Sequence, residues 1–283
     1  MSALTYFKRA SEQKNPWRYT FSRILWRSGL CKYFVIERDG YRLRFFPSTL
    51  SAELWADKTG RKSDECFFAA YLQPGDTVID IGANIGSLTL AASVQVGEQG
   101  HVYAIEPHPQ VFQYLNSNIT LNKRSNITAM NFALSNEPGE LCFSNMRSDD
   151  CNGVVADSSL KVKSETLDLV MGNRLQRIAL LKIDVEGFEK FVFEGAQDVL
   201  SVTDCVYFEA WDQHFEKYGY STNDVLELLR CAGFGIFRLS SEDRVLPVPT
   251  DFHAMACENL IAIKQVKDFS RRTRFFVGDE SAI

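Results

Sequence analysis

The chain of 283 residues is 45% apolar, 12% aromatic and 24% charged, which excludes a disordered or collagen-like chain and suffices for a full globular core. Its net charge of −5 gives no global basic field, so nucleic acid is not expected as a partner. The charge is nonetheless segregated, with residues 1–36 summing to +6 and the remainder to −11. Seven cysteines, an odd number with no C-x-x-C pair, fit a reduced protein kept in the cytoplasm. None of the four histidines stands at metal-ligand spacing to a cysteine or another histidine, so a structural zinc site is not expected. No run approaches the ~18 apolar residues of a membrane span, and no signal-peptide core is visible.

Residues 4–30 interleave Leu4, Phe7, Phe21, Ile24, Leu25 and Leu30 with basic residues at helical spacing, broken at Asn15-Pro16. This predicts two helical pieces. Lys32–Glu37 and Tyr41–Phe46, either side of Asp39-Gly40, predict a hairpin. Residues 1–62 therefore read as an appended helix-plus-hairpin module. From Ser63 the pattern alternates. It predicts helix 63–72, strand 77–81, helix 85–96, strand 101–105, helix 109–121, strand 127–131 and a hairpin-like stretch at 133–145. Then follow strand 178–183, helix 188–200, strand 204–209, helix 222–232, strand 235–239 and a last strand near 259–264. Such alternation predicts an α/β fold with a mostly parallel sheet covered on both faces, over a domain of residues 63–265. The polar segment 146–160 reads as a mobile loop, and residues 266–283 as a basic C-terminal tail.

The most informative stretch is Asp76-Thr-Val-Ile-Asp-Ile-Gly-Ala-Asn-Ile-Gly86, an apolar strand running into a glycine-bearing turn and a helix. Such a turn presents backbone amides and a helix N-terminus to a ligand. The spacing is G-x-x-x-G, with Asn84 where a dinucleotide fingerprint requires glycine, which disfavours a pyrophosphate. Asp80 at the strand end repels phosphate and attracts an ammonium or sulfonium. Glu106 ends the next strand, where an acid accepts hydrogen bonds from a ribose diol. Ribose plus cation without pyrophosphate points to S-adenosylmethionine. The plainer alternative makes Asp80 a helix cap and Glu106 a surface acid before a turn.

Val78-Ile-Asp-Ile-Gly-Ala-Asn-Ile-Gly86, Ile105-Glu-Pro-His-Pro109, the Leu115…Asn118…Leu121-Asn122 helix, Ala133-Leu-Ser135, Leu181-Lys-Ile-Asp-Val-Glu-Gly-Phe-Glu189 and Glu194-Gly-Ala196 together resemble the FkbM-type methyltransferases, a branch of the class I S-adenosylmethionine-dependent methyltransferases. The resemblance covers about residues 63–240. It implies a Rossmann-like, seven-stranded, mostly parallel sheet with the last strand antiparallel, and O-methylation of hydroxyls on sugars or other natural products. Carried over, Asp80, Gly82, Asn84 and Gly86 line the methionine part of the cofactor and Glu106 binds its ribose. Ala133 and Leu134 flank the adenine, although Phe132 replaces the usual polar residue there.

The strand 178–183 run presents Asp184 and Glu186 at its carboxyl end, and strand 204–208 ends likewise at Glu209, with Trp211 and His214 just beyond. If the strands are neighbours, Asp184 and Glu209 face one crevice. His214 or Asp184 could remove a proton from the acceptor hydroxyl, or Asp184 and Glu209 could hold a Mg²⁺ that polarises it. Asp184 and Glu186 could instead cap the following helix. Lys182 either pairs with a carboxylate or touches substrate.

The expected function is S-adenosylmethionine-dependent O-methylation of a small-molecule or glycan hydroxyl. A nitrogen or carboxylate acceptor, or a non-catalytic cofactor-binding scaffold, is the alternative. Basic residues mixed with Trp17, Tyr19, Phe21 and Trp26 also suit peripheral membrane contact through residues 1–30. Packing on the core, or on a second copy in a homo-oligomer, is the competing reading of that helix.

Overall fold

A computed structural model describes residues 14–144, 152–174, 177–241 and 243–278. The first expected helical piece, in residues 4–15, and the loop residues Asp149–Cys151 lie largely or wholly outside them. Helix α1 (Pro16–Ser28) starts with proline in its first turn and ends at Gly29, in the left-handed conformation that favours glycine. Strands β1 (Val35–Arg38) and β2 (Tyr41–Arg44) form the expected antiparallel hairpin around Asp39-Gly40. The sequence reading missed α2 (Thr49–Ala56), whose N-cap Ser48 accepts a hydrogen bond from the Ser51 amide.

The alternating region follows as α3 (Lys62–Tyr71), β3 (Thr77–Ile81), α4 (Ser87–Val96), β4 (His101–Ile105), α5 (Pro109–Asn122) and β5 (Ile127–Met130). Next come β6 (Ala133–Leu134), β7 (Gly139–Phe143), β8 (Leu160–Glu165), α6 (Leu167–Met171) and β9 (Ile178–Ile183). The rest are α7 (Glu189–Glu194), α8 (Gln197–Ser201), β10 (Thr203–Ala210), α9 (Asp212–Phe215), α10 (Thr222–Cys231), β11 (Gly235–Ser241), β12 (Arg244–Pro247), β13 (Glu258–Ile263), α11 (Val266–Thr273) and β14 (Phe276–Val277).

The main sheet runs β14-β12-β11-β13-β10-β9-β3-β4-β5. Strands β10, β9, β3, β4 and β5 are mutually parallel, and β13 is antiparallel to β10 and β11. This is the expected α/β architecture with an antiparallel last strand. It has nine strands rather than seven, because β12 and β14 extend one edge beyond β11. Every residue of β3 and β9 is buried, as a sheet covered on both faces requires.

Three local expectations are corrected. The 133–145 stretch is not a hairpin: β8 inserts between β6 and β7, parallel to the first and antiparallel to the second. The expected helix 188–200 is two helices. A Cβ on Gly195 would lie 2.2 Å from the Ser135 carbonyl oxygen, so the chain breaks where backbones touch. The second helix starts afresh, with the Asp168 carboxylate accepting from the amides of Asp198 and Val199. Part of the presumed tail is α11, with Phe269 and Thr273 buried.

The hairpin is tied to the sheet domain by side chains that complete its backbone hydrogen bonding. Asn122 accepts from the Arg42 amide and donates to its carbonyl, while Asn118 accepts from the Arg44 amide and donates to the Ile85 carbonyl. Glu65 accepts from Arg38 at 2.7 Å and from the Tyr41 hydroxyl at 2.5 Å. No helix among the described residues is long and apolar enough to cross a membrane.

Candidate functional site

Strand β3 has β4 on one side and β9 on the other, so the chain reverses its order of winding there. Ligand crevices form beyond the carboxyl ends of strands at such a point. A cavity of about 320 Å³ opens there, at the low end of the range for small-molecule sites.

At one end the β3–α4 turn carries Gly82 and Asn84, both with positive φ (73° and 51°). Gly82 is required by contact as well as conformation, since a Cβ there would lie 1.8 Å from the Asp184 carbonyl oxygen. Glu106 accepts from the Asn84 amide and from the His108 amide, both at 2.9 Å. Burial pushes its carboxyl up to about 7, against these two hydrogen bonds. Phe132, Ala133, Leu134 and Phe143 add an apolar wall beside Glu106.

Of the anticipated cofactor residues, Gly82, Asn84, Glu106, Ala133 and Leu134 line this cavity, whereas Asp80 and Gly86 do not. Asp80 is fully buried; it accepts from the Thr89 hydroxyl at 2.5 Å and lies 3.1 Å from the Lys182 ammonium. The expectation that Asp80 offers a bare carboxylate to a cationic ligand is therefore corrected, because Lys182 is its counter-ion. Burial opposes the charge on Lys182, but Asp80 and Asp184 hold its pKa above the usual lysine value. Gly86 serves packing, as a Cβ would meet Leu115 at 2.6 Å.

The cavity is acidic by other means. Glu53, Glu106, Asp184, Glu186 and Glu209 line it against Arg61 and Lys182, a balance that favours a cation. Strands β9 and β10 are neighbours, so Asp184 and Glu209 do share the crevice, yet they turn to different partners. Asp184 lies 3.6 Å from Arg61 and 3.8 Å from Lys182. Glu209 instead joins Glu186 around His214, whose Nδ1 is 3.4 Å from Glu186 Oε2 and 3.6 Å from Glu209 Oε1. The imidazole leans on Trp211 with ring centres 4.3 Å apart.

For a divalent ion this geometry favours a different set from the Asp184–Glu209 pair expected from sequence. Glu186, Glu209 and His214 each offer an atom within 4.8 Å of the others. Glu186 is held there by a left-handed backbone (φ 57°), and a Cβ on Gly187 would lie 2.6 Å from the His214 carbonyl oxygen. Glu186 and Glu209 therefore converge on His214, and neither Asp184 nor Glu186 caps the following helix, whose N-cap is Phe188 with no side-chain cap bond.

Arg61 was missed by sequence reasoning. It sits in a left-handed residue before α3, about a third exposed, with Asp64 and Asp184 each 3.6 Å away. Burial works against its charge, and Asp184 and Asp64 more than offset this. Leu50 and Glu53 of α2 and Cys257 before β13 also reach the cavity without any motif to announce them.

A Rossmann-like α/β protein with an acid-lined crevice at the switch point of its sheet is thus defined. A family profile described as the methyltransferase FkbM domain matches residues 80–236, and the chain belongs to that family. It is 28% identical over 160 residues to "Methyltransferase 1" of Beauveria bassiana (strain ARSEF 2860), covering 48% of this chain and 64% of that protein. It is 27% identical over 172 residues to "Methyltransferase sdnD" of Sordaria araneosa, covering 48% of this chain and 66% of that one. The chain thus spans somewhat under two thirds of these relatives. The crystal structure of methyltransferase FkbM from Methylobacillus flagellatus KT is 15% identical with a TM-score of 0.46, covering 69% of this chain and 47% of that one.

Proposed function

We propose that this protein is an S-adenosylmethionine-dependent methyltransferase that acts on a hydroxyl of a sugar, glycan or secondary metabolite. The observation that carries the reading is one cavity with two chemically distinct ends. The Gly82–Asn84 turn and Glu106 form one, and the Glu186–Glu209–His214 group forms the other. The first suits a ribose and an amino-acid tail. Gly82 lets the backbone approach closely, Glu106 offers carboxylate oxygens to a diol, and the Phe132–Phe143 wall suits a flat base.

The bound cofactor would supply a methyl group activated by a sulfonium. The chain's task is to hold the acceptor oxygen in line with that methyl and take its proton. His214 is the candidate base, and Glu186 and Glu209 stabilise the imidazolium that forms. Asp184, fixed by Arg61 and Lys182, orients the acceptor. Should a divalent ion such as Mg²⁺ take part, Glu186, Glu209 and His214 would hold it and the acceptor oxygen would be polarised there.

Calorimetric titration of the full chain with S-adenosylmethionine, S-adenosylhomocysteine and NAD is the direct test. The first two are expected to bind and to lose binding in Glu106→Ala, while Asp184→Ala keeps binding and loses methyl transfer in an acceptor screen beginning with sugars. Binding of NAD alone would refute the reading. Cofactor binding with no transfer to hydroxyl, amine or carboxylate acceptors would favour a non-catalytic scaffold.

A further inference from the structure

Helix α1 carries two apolar faces. Tyr19, Ser22 and Leu25 are buried, and the helix lies against α2. Trp17, Phe21 and Ile24, at i, i+4 and i+7 on the opposite side, are 69%, 44% and 54% exposed. The exposed stripe continues past the helix through Leu30, Tyr33, Phe34 and Val35. Seven of the eleven exposed large hydrophobic residues among the described residues fall between 17 and 35. Core packing explains one face of α1; on the second, Phe21 leans on Trp55 with ring centres 5.9 Å apart, while Trp17 and Ile24 stay largely exposed among the described residues.

Charge identifies the kind of partner. Residues 14–35 contain Lys14, Arg18, Arg23, Arg27 and Lys32 and no acidic residue, although the chain as a whole is net negative. Around the helix axis Arg23 and Arg27 flank the Trp17–Phe21–Ile24 stripe on one side, and Lys32 follows past the helix end, whereas Arg18 on the other side donates to the Trp55 carbonyl. Exposed aromatic and aliphatic side chains bordered by cations match an anionic lipid interface, where the rings enter the headgroup layer and the cations meet phosphates. A nucleic acid would use the cations but not the aliphatic groups, and an acidic protein surface would leave Trp17 and Ile24 unmatched.

We propose that α1 and the segment through Val35 dock this protein on an anionic bilayer surface. Because α1 packs on α2, and Leu50 and Glu53 of α2 line the cavity, the docked face lies one helix away from the site. The proposal stands whether or not the cavity transfers methyl groups.

Co-sedimentation of the full chain with vesicles tests it. The protein is expected to pellet with phosphatidylcholine vesicles that contain phosphatidylglycerol and to stay in solution with phosphatidylcholine alone. Combined Trp17→Ser, Phe21→Ser and Ile24→Ser should lower the bound-to-free ratio roughly tenfold or more, and Arg27→Gln with Lys32→Gln should lower it severalfold. Trp17 and Ile24 are exposed and Phe21 meets only Trp55 among the described residues, so the melting temperature should fall by no more than a few degrees. No pelleting with phosphatidylglycerol vesicles, or pelleting unchanged in the apolar variant, would overturn the proposal. So would a concentration-dependent dimer that dissolves in that variant without vesicle binding, which would make the face a self-association surface.

Discussion

Lys182 stands opposite Asp80 in the parallel register of β9 and β3, and its ammonium lies 3.1 Å from Asp80 Oδ1 while donating to the Ile81 and Gly82 carbonyls. The strand-end carboxylate thus has its charge balanced from within the protein, and the same ammonium braces the turn that begins the cavity. Removing one partner leaves a buried charge alone. Lys182→Met should therefore cost about 3–5 kcal/mol, and Asp80→Asn combined with Lys182→Met should recover much of it. Urea denaturation of the two variants checks this, and an unchanged midpoint in Lys182→Met would rule out the pairing as a stabilising element.

Most of the central sheet was legible in the sequence because strands buried on both faces read as unbroken apolar runs, as Ile178–Ile183 does. Strand β8, Leu-Lys-Val-Lys-Ser-Glu, has only one buried face, and its lysines break the apolar run that marks a strand, so no element was expected there. The functional groups at strand ends were legible for a topological reason: Glu106, Asp184 and Glu209 follow buried runs at the end where ligands bind. Arg61 was not, because it lies outside any regular element and more than a hundred residues from Asp184. Pairing of Lys182 with a carboxylate was one of its two sequence readings and is what the structure shows, but that Asp80 is the nearest one follows only from the register of β3 and β9.

Glu106 gives the site a pH dependence. Its carboxyl titrates at about 7, and a ribose diol donating two hydrogen bonds requires the ionised form. Affinity for S-adenosylhomocysteine should fall about tenfold per unit as pH drops below that value, and level off above it. Calorimetry across this range checks the slope, which should vanish in Glu106→Gln along with most of the affinity. A flat profile in the parent chain would exclude a binding role for the carboxylate.

Glu189 acts on stability instead. Its side chain is wholly buried, with Oε1 accepting from the Val185 amide, and burial raises its carboxyl to about 8. Both Glu106 and Glu189 are raised above their ordinary value of 4.5. The folded state therefore holds their protons longer than the unfolded chain does. The resulting stability is fully present below that value and is lost as pH rises through about 7 and about 8. The melting temperature should decline across this window, and Glu189→Gln should make the decline shallower. An equally steep decline in that variant would assign the effect elsewhere.

Gly187 packs against the His214 end of the cavity. Its φ is 101°, and a side chain added there would place its Cβ 2.6 Å from the His214 carbonyl oxygen, so Gly187→Ala must push the His214 segment aside. The Gly82–Asn84 turn and Glu106 do not take part in that contact. Cofactor affinity should stay near that of the parent chain while methyl transfer falls about 10²-fold, the penalty for misplacing a catalytic group by roughly 1 Å. Calorimetry paired with a labelled-methyl transfer assay reads both. Equal losses in binding and transfer would mean that the two ends are one mechanical unit.

His214 distinguishes proton abstraction from metal assistance, because either use would involve Nδ1 facing Glu186 and Glu209. If it acts as the base, His214→Asn should lower transfer by about 10²–10⁴, and the parent enzyme should keep its rate after exhaustive treatment with EDTA. If EDTA removes activity and Mg²⁺ restores it, the group of Glu186, Glu209 and His214 is a metal site and the hydroxyl is activated by coordination. Glu209→Gln sharpens the distinction. As a partner to the imidazolium Glu209 contributes electrostatically, so its loss should slow transfer without creating any dependence on added metal. As a ligand its loss should raise the concentration of Mg²⁺ needed for half-maximal rate.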